Sequence, residues 1–561
     1  MDFKRMLTVF ALSALILIGW EALFPTPKAQ PQTTSQQTAS VQAATSSPLG
    51  ETTPITVQTN ALDAIIDEKS GDLRGLTLRQ YNATTDESKN FVLLSDGKPL
   101  TYIAQSQLID ENGKNLLDGV SFTAAQKKHT VQGDKVEVRL SAPEHNGLQV
   151  DKVYTFNQDS YLMNVRFDVK NTGSSARKIG TSYNIVRDNS APEGEGWFMH
   201  SYNGPVVYTP DSGEFEKVPY GDLDDDFQSG KSEAEYQRKA TGGYVGMIQH
   251  YFVSSWIMQP ENGENLCANN ICTIDIKRRN DNLYSAGVNV PATELAAGSS
   301  QTFSANLYAG PQVTRILETV SPEFELTKDY GRVHIFAAPL FALLNWLHGL
   351  VGNWGWAIIL LTVIVKAVLY PLNDKAYKSM AKMRAVAPKL EAIKKKYPNP
   401  EDRMALQQAM MQLYRDEKIN PLGGCLPMLV QMPIFIGLYW MIFLSVELRQ
   451  APWLGWISDL SRPDPFFILP ILMAATMWFQ TTLNPPPTDP MQAQMMKIMP
   501  LMFSIMFFFF PAGLVLYYVI NNILTIAQQW HINRQAKAAV AAGSVEILDK
   551  SEPNKTGKKK K

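Results

Sequence analysis

Hydrophobic and polar residues follow two different patterns along this 561-residue chain. From about residue 55 to residue 326, apolar residues recur at every second position, as in 136–140 and 165–169. Successive side chains of a strand point to opposite faces, so this period predicts half-buried antiparallel strands. The length of the region predicts a large β-sandwich.

Long apolar segments replace this alternation from about residue 329 onward. The segments 354–372, 422–444 and 466–482 are each close to the roughly 20 residues that a helix needs to span a bilayer. The segment 333–351 is amphipathic and contains Trp346, which favours a helix that lies at the membrane interface. The second half of the chain is therefore predicted to be helical and embedded in a membrane.

The final apolar block, 498–527, is too long for one span. A single helix of this length would run roughly 45 Å against a bilayer core of about 30 Å. A turn at Pro511-Ala512-Gly513 would divide it into two spans and return the tail to the side of the basic segment 373–420, as the positive-inside rule requires. That segment predicts a helical hairpin that kinks or restarts at Pro388 and returns from Asn399–Asp402.

The N-terminus carries Lys4 and Arg5 before an apolar run from Met6 to Phe24. An uncleaved anchor and a removed signal peptide both fit this run, and the lack of a cleavage pattern favours the anchor. We therefore predict six spans, with both termini in the cytoplasm and the β region outside. The predicted order is an anchor at 1–24, a disordered linker at 25–54, a β-domain at 55–328, an interfacial helix at 329–351, a membrane core at 352–534 that contains the hairpin 373–420, and a basic tail at 535–561.

Charge supports this division, although the net charge of the chain is only −1. Residues 51–330 contain 38 acidic and 25 basic residues, which gives −13, whereas the rest contains 15 acidic and 27 basic residues, which gives +12. Such an asymmetry indicates two compartments or two kinds of partner. The acid-rich stretch 221–227 predicts a solvated loop, and it lacks the signature of a calcium-binding loop.

Three cysteines are too few for a disulfide framework. Cys267 and Cys272 flank a predicted hairpin tip with Asn269-Asn270 at the turn. They fit either a disulfide formed in an oxidising compartment or two unpaired thiols. Cys425 lies in an apolar run and is expected to be a buried thiol.

Motifs for nucleotide hydrolysis, proteolysis or metal binding are absent from the sequence. The unusual residue is Lys366, which lies inside the apolar segment 354–372, where an ammonium group costs a few kcal/mol. Its side chain could reach the cytoplasmic interface, or it could face a hydrated cavity. Polar residues in other spans, among them Gln431, Tyr517 and Tyr518, favour the cavity. Thr362, one turn away, is expected to place a hydroxyl beside the cation.

Two further features leave alternatives open. Eight of the 22 methionines fall within 473–506, which fits ordinary core packing or an adaptable surface for varied apolar segments. The lysine-rich tail that ends at Lys561 fits a topology determinant or a contact with ribosomal RNA or anionic lipid.

Several short strings resemble the YidC-type membrane protein insertases of the YidC/Oxa/Alb family, in the form found in Gram-negative bacteria. The strings are VGNWG at 351–355, NPLGGC at 420–425, QMPIF at 431–435, SVELR at 445–449 and PAGLVLYY at 511–518. The resemblance covers all of 330–530, and the arrangement of anchor, linker and β-domain also matches.

The resemblance implies an insertase and chaperone of the inner membrane, with a periplasmic β-supersandwich and five core helices around a hydrophilic groove open to cytoplasm and lipid. In such proteins substrates slide along the helices that here contain Phe435 and Met473, and Lys366 replaces the usual arginine, which removes the planar guanidinium fork. The expected groove and slide residues are Lys366, Thr362, Gln431, Phe435, Met473, Tyr517 and Tyr518.

The resemblance implies no enzyme activity and no cofactor. The expected partners are nascent integral membrane proteins, membrane lipids, a Sec-type translocon and, through the tail, the ribosome. Two other hypotheses are a transporter that uses Lys366, although the internal repeats typical of transporters are not seen, and an envelope-assembly or sugar-binding role for the β-domain.

Overall fold

The computed structural model describes residues 51–84, 86–97, 100–192, 201–268, 271–397, 402–417, 426–483, 494, 498, 502 and 504–541. The chain forms two compact units that divide between Asp329 and Tyr330. The predicted anchor, the linker up to residue 50, Asn399, Cys425 and the tail from residue 542 onward lie outside the described residues.

The first unit consists mainly of two large β-sheets. All neighbouring strands pair antiparallel except β1 and β6, which are parallel. The first sheet has the order β13-β16-β17-β10-β5-β4-β3-β2-β1-β6, and the second has the order β12-β11-β14-β15-β18-β9-β8-β7. The strands are β1 Pro54–Gln58, β2 Leu62–Asp67, β3 Leu73–Asn82, β4 Asn90–Asp96, β5 Thr101–Ile109, β6 Lys128–Thr130, β7 Lys135–Ser141, β8 Leu148–Asn157, β9 Leu162–Asn171, β10 Arg177–Arg187, β11 Gly204–Tyr208, β12 Phe215–Lys217, β13 Lys239–Ala240, β14 Tyr244–Gln249, β15 Phe252–Ile257, β16 Cys272–Arg278, β17 Tyr284–Leu295 and β18 Ser300–Pro311.

Apolar side chains from both sheets form one continuous core, so the predicted β-sandwich is confirmed. In β9 the buried residues Val165, Phe167 and Val169 alternate with half-exposed polar residues, as the period of two predicts. Trp256 of β15 and Tyr183 of β10 are in aromatic contact between the sheets, with ring centroids 4.9 Å apart.

The acid-rich stretch 221–227 is helical, so the predicted loop is wrong. It belongs to helix α1, Tyr220–Ser229, which ends at Gly230 in the left-handed conformation. Tyr220 and Leu223 are buried and lie three residues apart on one face. Two apolar anchors and a glycine C-cap are enough to hold a short helix against the sheet, and Asp224 accepts hydrogen bonds from Arg278 and Tyr284.

A disulfide joins Cys267 and Cys272, whose Cα atoms are 5.5 Å apart. Cys272 begins β16, but Cys267 lies in a turn and not in a strand paired with β16. The two cysteines therefore do not flank the tip of a regular hairpin as predicted. The disulfide instead ties the loop after β15 to the start of β16.

The second unit is helical. The preceding short helix, α2 Thr314–Leu317, still belongs to the first unit and follows β18. The helices of the second unit are α3 His334–Val351, α4 Trp354–Ala385, α5 Ala387–Lys396, α6 Arg403–Asp416, α7 Leu426–Leu444, α8 Ile468–Leu483 and α9 Ala512–Ala541. By length and hydropathy, α3 and residues Trp354–Ser379 of α4 qualify as membrane spans, and Leu429–Leu444 and Ile468–Leu483 are shorter apolar helices.

Both predicted interruptions of the helical pattern are present. The hairpin helix stops at Ala385 and restarts at Ala387, with Pro388 in the first turn of α5, where its missing N–H leaves no bond unmade. The last apolar block breaks at Phe510 and Pro511, between a short 3₁₀ turn at Phe507–Phe509 and α9. The count of six membrane spans stays a prediction.

Helix α3 is apolar on both sides, which the amphipathic prediction did not anticipate. Ala337, Phe341 and Leu344 are buried on the face that packs against α4 and α7. Ile335 and Trp346 are exposed at 74% and 59%. This exposed apolar face fits contact with lipid, and the interfacial position of the helix stays a prediction.

Candidate substrate-binding site in the helical unit

Helix α9 carries a stripe of polar residues through an otherwise apolar bundle. Tyr518, Asn522, Thr525 and Gln529 are spaced by four, three and four residues, which places them on one face of the helix. Asn522, Thr525 and Gln529 are only 6%, 3% and 2% exposed. The face packs against α4 and α8, so this polar stripe lies inside the unit.

Lys366 of α4 reaches this stripe. Its Nζ donates a hydrogen bond of 2.8 Å to the hydroxyl of Thr525, and that hydroxyl donates to the backbone carbonyl of Asn521 at 2.7 Å. The Lys366 side chain is half-buried. No acidic side chain in the described part of the chain lies within ion-pair distance of its ammonium group, so the cation is hydrogen-bonded to a neutral hydroxyl and its charge is not compensated there.

Thr362 does not supply the hydroxyl beside the cation, so this part of the prediction is wrong. Thr362 is fully buried, and its hydroxyl donates to the carbonyl of Ile358 on its own helix at 2.7 Å. A threonine inside a helix commonly satisfies its hydroxyl in this way. The Lys366 partner comes from α9, which sequence spacing within α4 could not reveal.

A second polar contact joins α7 to α9. The side-chain amide of Gln431 donates to the Tyr517 hydroxyl at 2.6 Å, and Tyr517 is buried. The next residue, Tyr518, packs its ring edge-on against the ring of Phe435 of α7, with the centroids 5.0 Å apart. The ring of Phe507 lies at the same centroid distance from Tyr518. The structure thus brings four of the predicted residues, Gln431, Phe435, Tyr517 and Tyr518, into one cluster.

Met473 of α8 is buried, with 1% of its surface exposed. Thr476 lies one turn further on the same helix face and accepts a hydrogen bond of 3.3 Å from the Asn522 amide of α9. Met473 therefore faces the interior beside the polar stripe. The exposed apolar surface of α8 is instead formed by Ile471, Leu472, Trp478 and Phe479.

One end of the helical unit is closed by the loop between α7 and α8. The backbone N–H groups of Ala512 and Gly513, at the start of α9, donate to the carbonyls of Arg462 and Leu460. A helix N-terminus leaves such donors without partners inside the helix, and here the loop accepts from them. At α4, a Cβ on Gly355 would lie 2.1 Å from the Trp453 ring, so only glycine allows the loop to pack this closely.

Three residues of this site were not singled out by the sequence: Thr525, Gln529 and Thr476. Asn353, which lies in the VGNWG string, donates from its side-chain amide to the carbonyl of Pro452 in the loop between α7 and α8. The recurrence of polar residues every three or four positions in 518–529 is a signal that could have identified Thr525 and Gln529. Among the described residues, no group of three or more His, Cys, Asp or Glu side chains could hold a metal ion.

Comparison with known proteins agrees with this architecture. A family model described as "60Kd inner membrane protein" matches residues 346–539, and a model described as "YidC periplasmic domain" matches residues 54–343. The two matches together cover the β unit and the helical unit.

Full-length relatives carry the same name. "Membrane protein insertase YidC" of Neisseria meningitidis serogroup A is 63% identical over 97% of this chain and 100% of its own length. The protein of the same name from Laribacter hongkongensis is 46% identical over 96% of this chain and 99% of its own. The chain therefore belongs to the YidC family of membrane protein insertases.

Proposed function

We propose that substrates enter through a hydrated groove along the polar face of α9. The observation that carries the proposal is the Lys366 ammonium, which is withdrawn from bulk water and bonded to the neutral Thr525 hydroxyl. A half-buried cation without a counter-charge beside it attracts an anionic group, because its surroundings screen the attraction less than bulk water does. An acidic residue in the polar tail of a substrate supplies that group.

The groove lowers the barrier for moving a polar tail across the membrane. Polar side chains of α9, with Gln431 of α7, offer hydrogen bonds where lipid offers none. The apolar helix of the substrate leaves sideways into the bilayer, and burial of its surface, worth about 25 cal/mol per Å², drives the step. Insertion involves no covalent chemistry, so the protein is not an enzyme and needs no cofactor for this step.

Apolar and aromatic residues of α7, α8 and α9 provide a path for the substrate helix. Phe435 and Tyr518 line one side of it, and Leu472 and Phe479 are exposed on the other helix at 46% and 47%. In this proposal Thr362 and Met473 pack beneath the surface of the groove and do not line it, because both are buried. Their contact with substrate would require the helices to separate.

Membrane proteins are the substrates of this family. We further propose that the chain acts in the inner membrane, with the β unit in the periplasm and both termini in the cytoplasm. The basic composition of 373–420 and of the tail supports this orientation through the positive-inside rule. The same tail would contact the ribosome, and a Sec-type translocon would deliver part of the substrates.

The test exchanges the charge of Lys366 and varies the charge of the substrate tail. In proteoliposomes, Lys366→Glu is expected to lower insertion of an acidic-tailed substrate by about tenfold or more, since like charges at close range cost at least 1.4 kcal/mol. Insertion of a neutral-tailed substrate should change much less.

Lys366→Arg is the matched control, because it keeps the charge and should retain insertion of both substrates. Equal insertion of the acidic and neutral tails by the wild type and Lys366→Glu would contradict the attraction model. Site-specific crosslinking from Phe435 to a stalled nascent membrane protein tests the path independently of charge.

A further inference from the structure

The β unit contains a cleft of about 590 Å³ between its two sheets. One wall is the end of β17, which includes Val290 and Thr293, and the other is the start of β18, which includes Gln301 and Phe303. The loop after β15, with Gly263 and neighbouring residues, forms the third side. All of its lining residues belong to the β unit, so the cleft is distinct from the proposed groove in the helical unit.

Both walls end in strand edges that lack a neighbour among the described residues. β18 pairs with β9 along Ser300–Tyr308, but on its other side it pairs with β15 only from Asn306 to Pro311. The edge of residues 300–305 is therefore open on the side where β15 stops at Ile257. β17 likewise pairs with β16 only up to Asn289.

Open strand edges present rows of N–H and C=O groups that can accept another strand. Among the described residues, the backbone groups of 300–305 bond to other backbone groups only in the ladder with β9. The Ala305 carbonyl also accepts a hydrogen bond of 3.4 Å from the side-chain amide of Asn164 on β9. The opposite wall contains Pro291, which has no N–H to donate. Strand addition is thus favoured on β18, where six residues offer an edge of roughly 20 Å.

The lining identifies the kind of molecule that fits. Among the described residues that line the cleft, Glu264 alone carries a charge, and the other polar residues are amides and hydroxyls. Thr181, only 1% exposed, lines the deep side, where its hydroxyl lies beside the hydroxyl of Tyr183. The cleft therefore suits an uncharged ligand that makes hydrogen bonds.

Two features hold the cleft in shape. β10 has a bulge between Ile179 and Thr181 opposite β17, and a Cβ on Gly180 would lie 2.6 Å from the carbonyl oxygen of Val290. Bulges commonly redirect side chains beside binding sites. The disulfide between Cys267 and Cys272 joins the loop that forms the third side to the start of β16.

We propose that this cleft binds an extended, uncharged polypeptide segment, which adds to residues 300–305 as an antiparallel strand in the position where β15 would continue. The proposal rests on the proposed function, because the segment is the translocated tail of a membrane protein under insertion, which arrives extended and with its backbone groups unpaired. Backbone hydrogen bonds give the affinity, and the amide and hydroxyl lining accepts many sequences.

The experiment uses the full-length chain in membrane vesicles and a ribosome-bound nascent membrane protein with a long tail of Ser, Thr, Asn and Gln. A photo-crosslinker replaces Thr302 in the open edge, Thr155 of β8 as a control, or Phe435 in the helical unit. Thr155 pairs on both sides, with Glu137 and Asn164. The tail should crosslink to position 302 at least about fivefold more than to position 155, since only the first lies on an open edge.

A second substrate sharpens the test. A tail with proline at every second position cannot form a strand ladder, so its crosslinks to position 302 should fall to the level of position 155 while those to position 435 persist. Ser304→Lys, which places a charge on the open edge, should also reduce crosslinking at 302, whereas the matched Thr155→Lys should not.

The outcomes separate the two proposals. Crosslinks at 435 without crosslinks at 302 would overturn the cleft proposal and leave the insertion groove intact. Loss of crosslinks at 435 itself would count against the groove. Crosslinks at 302 that map to the chain's own residues 25–54, or that persist with the proline-containing tail, would also overturn binding of a substrate strand.

Discussion

Lys152 in the β unit and Lys366 in the helical unit are both withdrawn from water, but their surroundings differ. Lys152 is fully buried between the sheets, where its Nζ donates to the carbonyl of Ser106 at 3.0 Å and lies 3.9 Å from a carboxylate oxygen of Asp72. Lys366 is half-buried and bonds to the Thr525 hydroxyl. Lys152 has its counter-charge inside the fold, whereas Lys366 has none among the described residues.

The paired lysine belongs to a closed arrangement. The aromatic rings of Tyr154 and Phe167 lie 5.6 Å and 5.2 Å from its Nζ, and Asp72 accepts a further hydrogen bond from Gln105. Burial lowers the pKa of Lys152 to about 8, although Asp72 acts in the opposite direction, and burial also raises the pKa of Asp72. Every strong partner of Lys152 is thus part of the sandwich.

The presence or absence of a counter-charge distinguishes a lysine with a structural role from one with a functional role. A buried ion pair is neutral overall and gains nothing from an outside group. A cation that is bonded only to a hydroxyl keeps its attraction for an anion that arrives later. We therefore expect substitutions at Lys152 to act on folding and substitutions at Lys366 to act on insertion.

The largest effect should follow from breaking the pair in the β unit. Asp72→Ala leaves Lys152 without its counter-charge and should lower the free energy of unfolding by about 3–5 kcal/mol. Pulse proteolysis in urea, applied to the full chain in membranes, measures it through digestion of the β unit. The double variant Asp72→Leu with Lys152→Met is the control and should recover most of the loss. A loss below 1 kcal/mol for Asp72→Ala would contradict the structural role.

The lowered pKa of Lys152 should also make the free energy of unfolding depend on pH. The pKa of Lys152 is about 8 in the folded chain and has an ordinary value of 10.5. Between these values the unfolded chain binds more protons, so the free energy of unfolding should rise with pH. The rise amounts to about 3 kcal/mol at 1.36 kcal/mol per pKa unit. Lys152→Met removes the titrating group, and a curve of the same slope in this variant would assign the effect to another residue.

The smallest effect should come from the contact between Lys366 and Thr525. Thr525→Val removes the hydroxyl and should destabilise the helical unit by only about 1 kcal/mol, as is typical of hydrogen bonds between membrane helices. A double-mutant cycle with Lys366→Met measures the coupling from thermal unfolding in detergent. Thr362→Val is the matched control and should show no coupling, because its hydroxyl bonds to its own helix. Equal coupling of both threonines to Lys366 would contradict the geometry.

Sequence patterns predicted the elements better than their contacts. The period of two identified strands such as β9, because one face of each is buried and the other is solvated. The break at Pro511 followed from helix length and charge. Helix α1 was missed because its acidic composition outweighs two buried anchors, Tyr220 and Leu223.

The order of the strands and the partner of Lys366 depend on residues distant in sequence. β10, for example, lies between β5 and β17, and Lys366 meets Thr525 across 159 residues. Neither pairing has a local signal, since any polar residue on any other helix could have met the ammonium group. The expectation that Thr362 does so used the nearest hydroxyl in the sequence, which its own helix already occupies.

The loop that closes one end of the helical unit has an electrical consequence. Carbonyls of Leu460 and Arg462 bind the N–H groups at the start of α9, and Trp453 packs directly against Gly355. If the proposed groove ends at this loop, water can hydrate a passing tail inside it without forming a continuous column across the bilayer. The membrane that contains it can then keep its resistance to ions and protons while proteins are inserted.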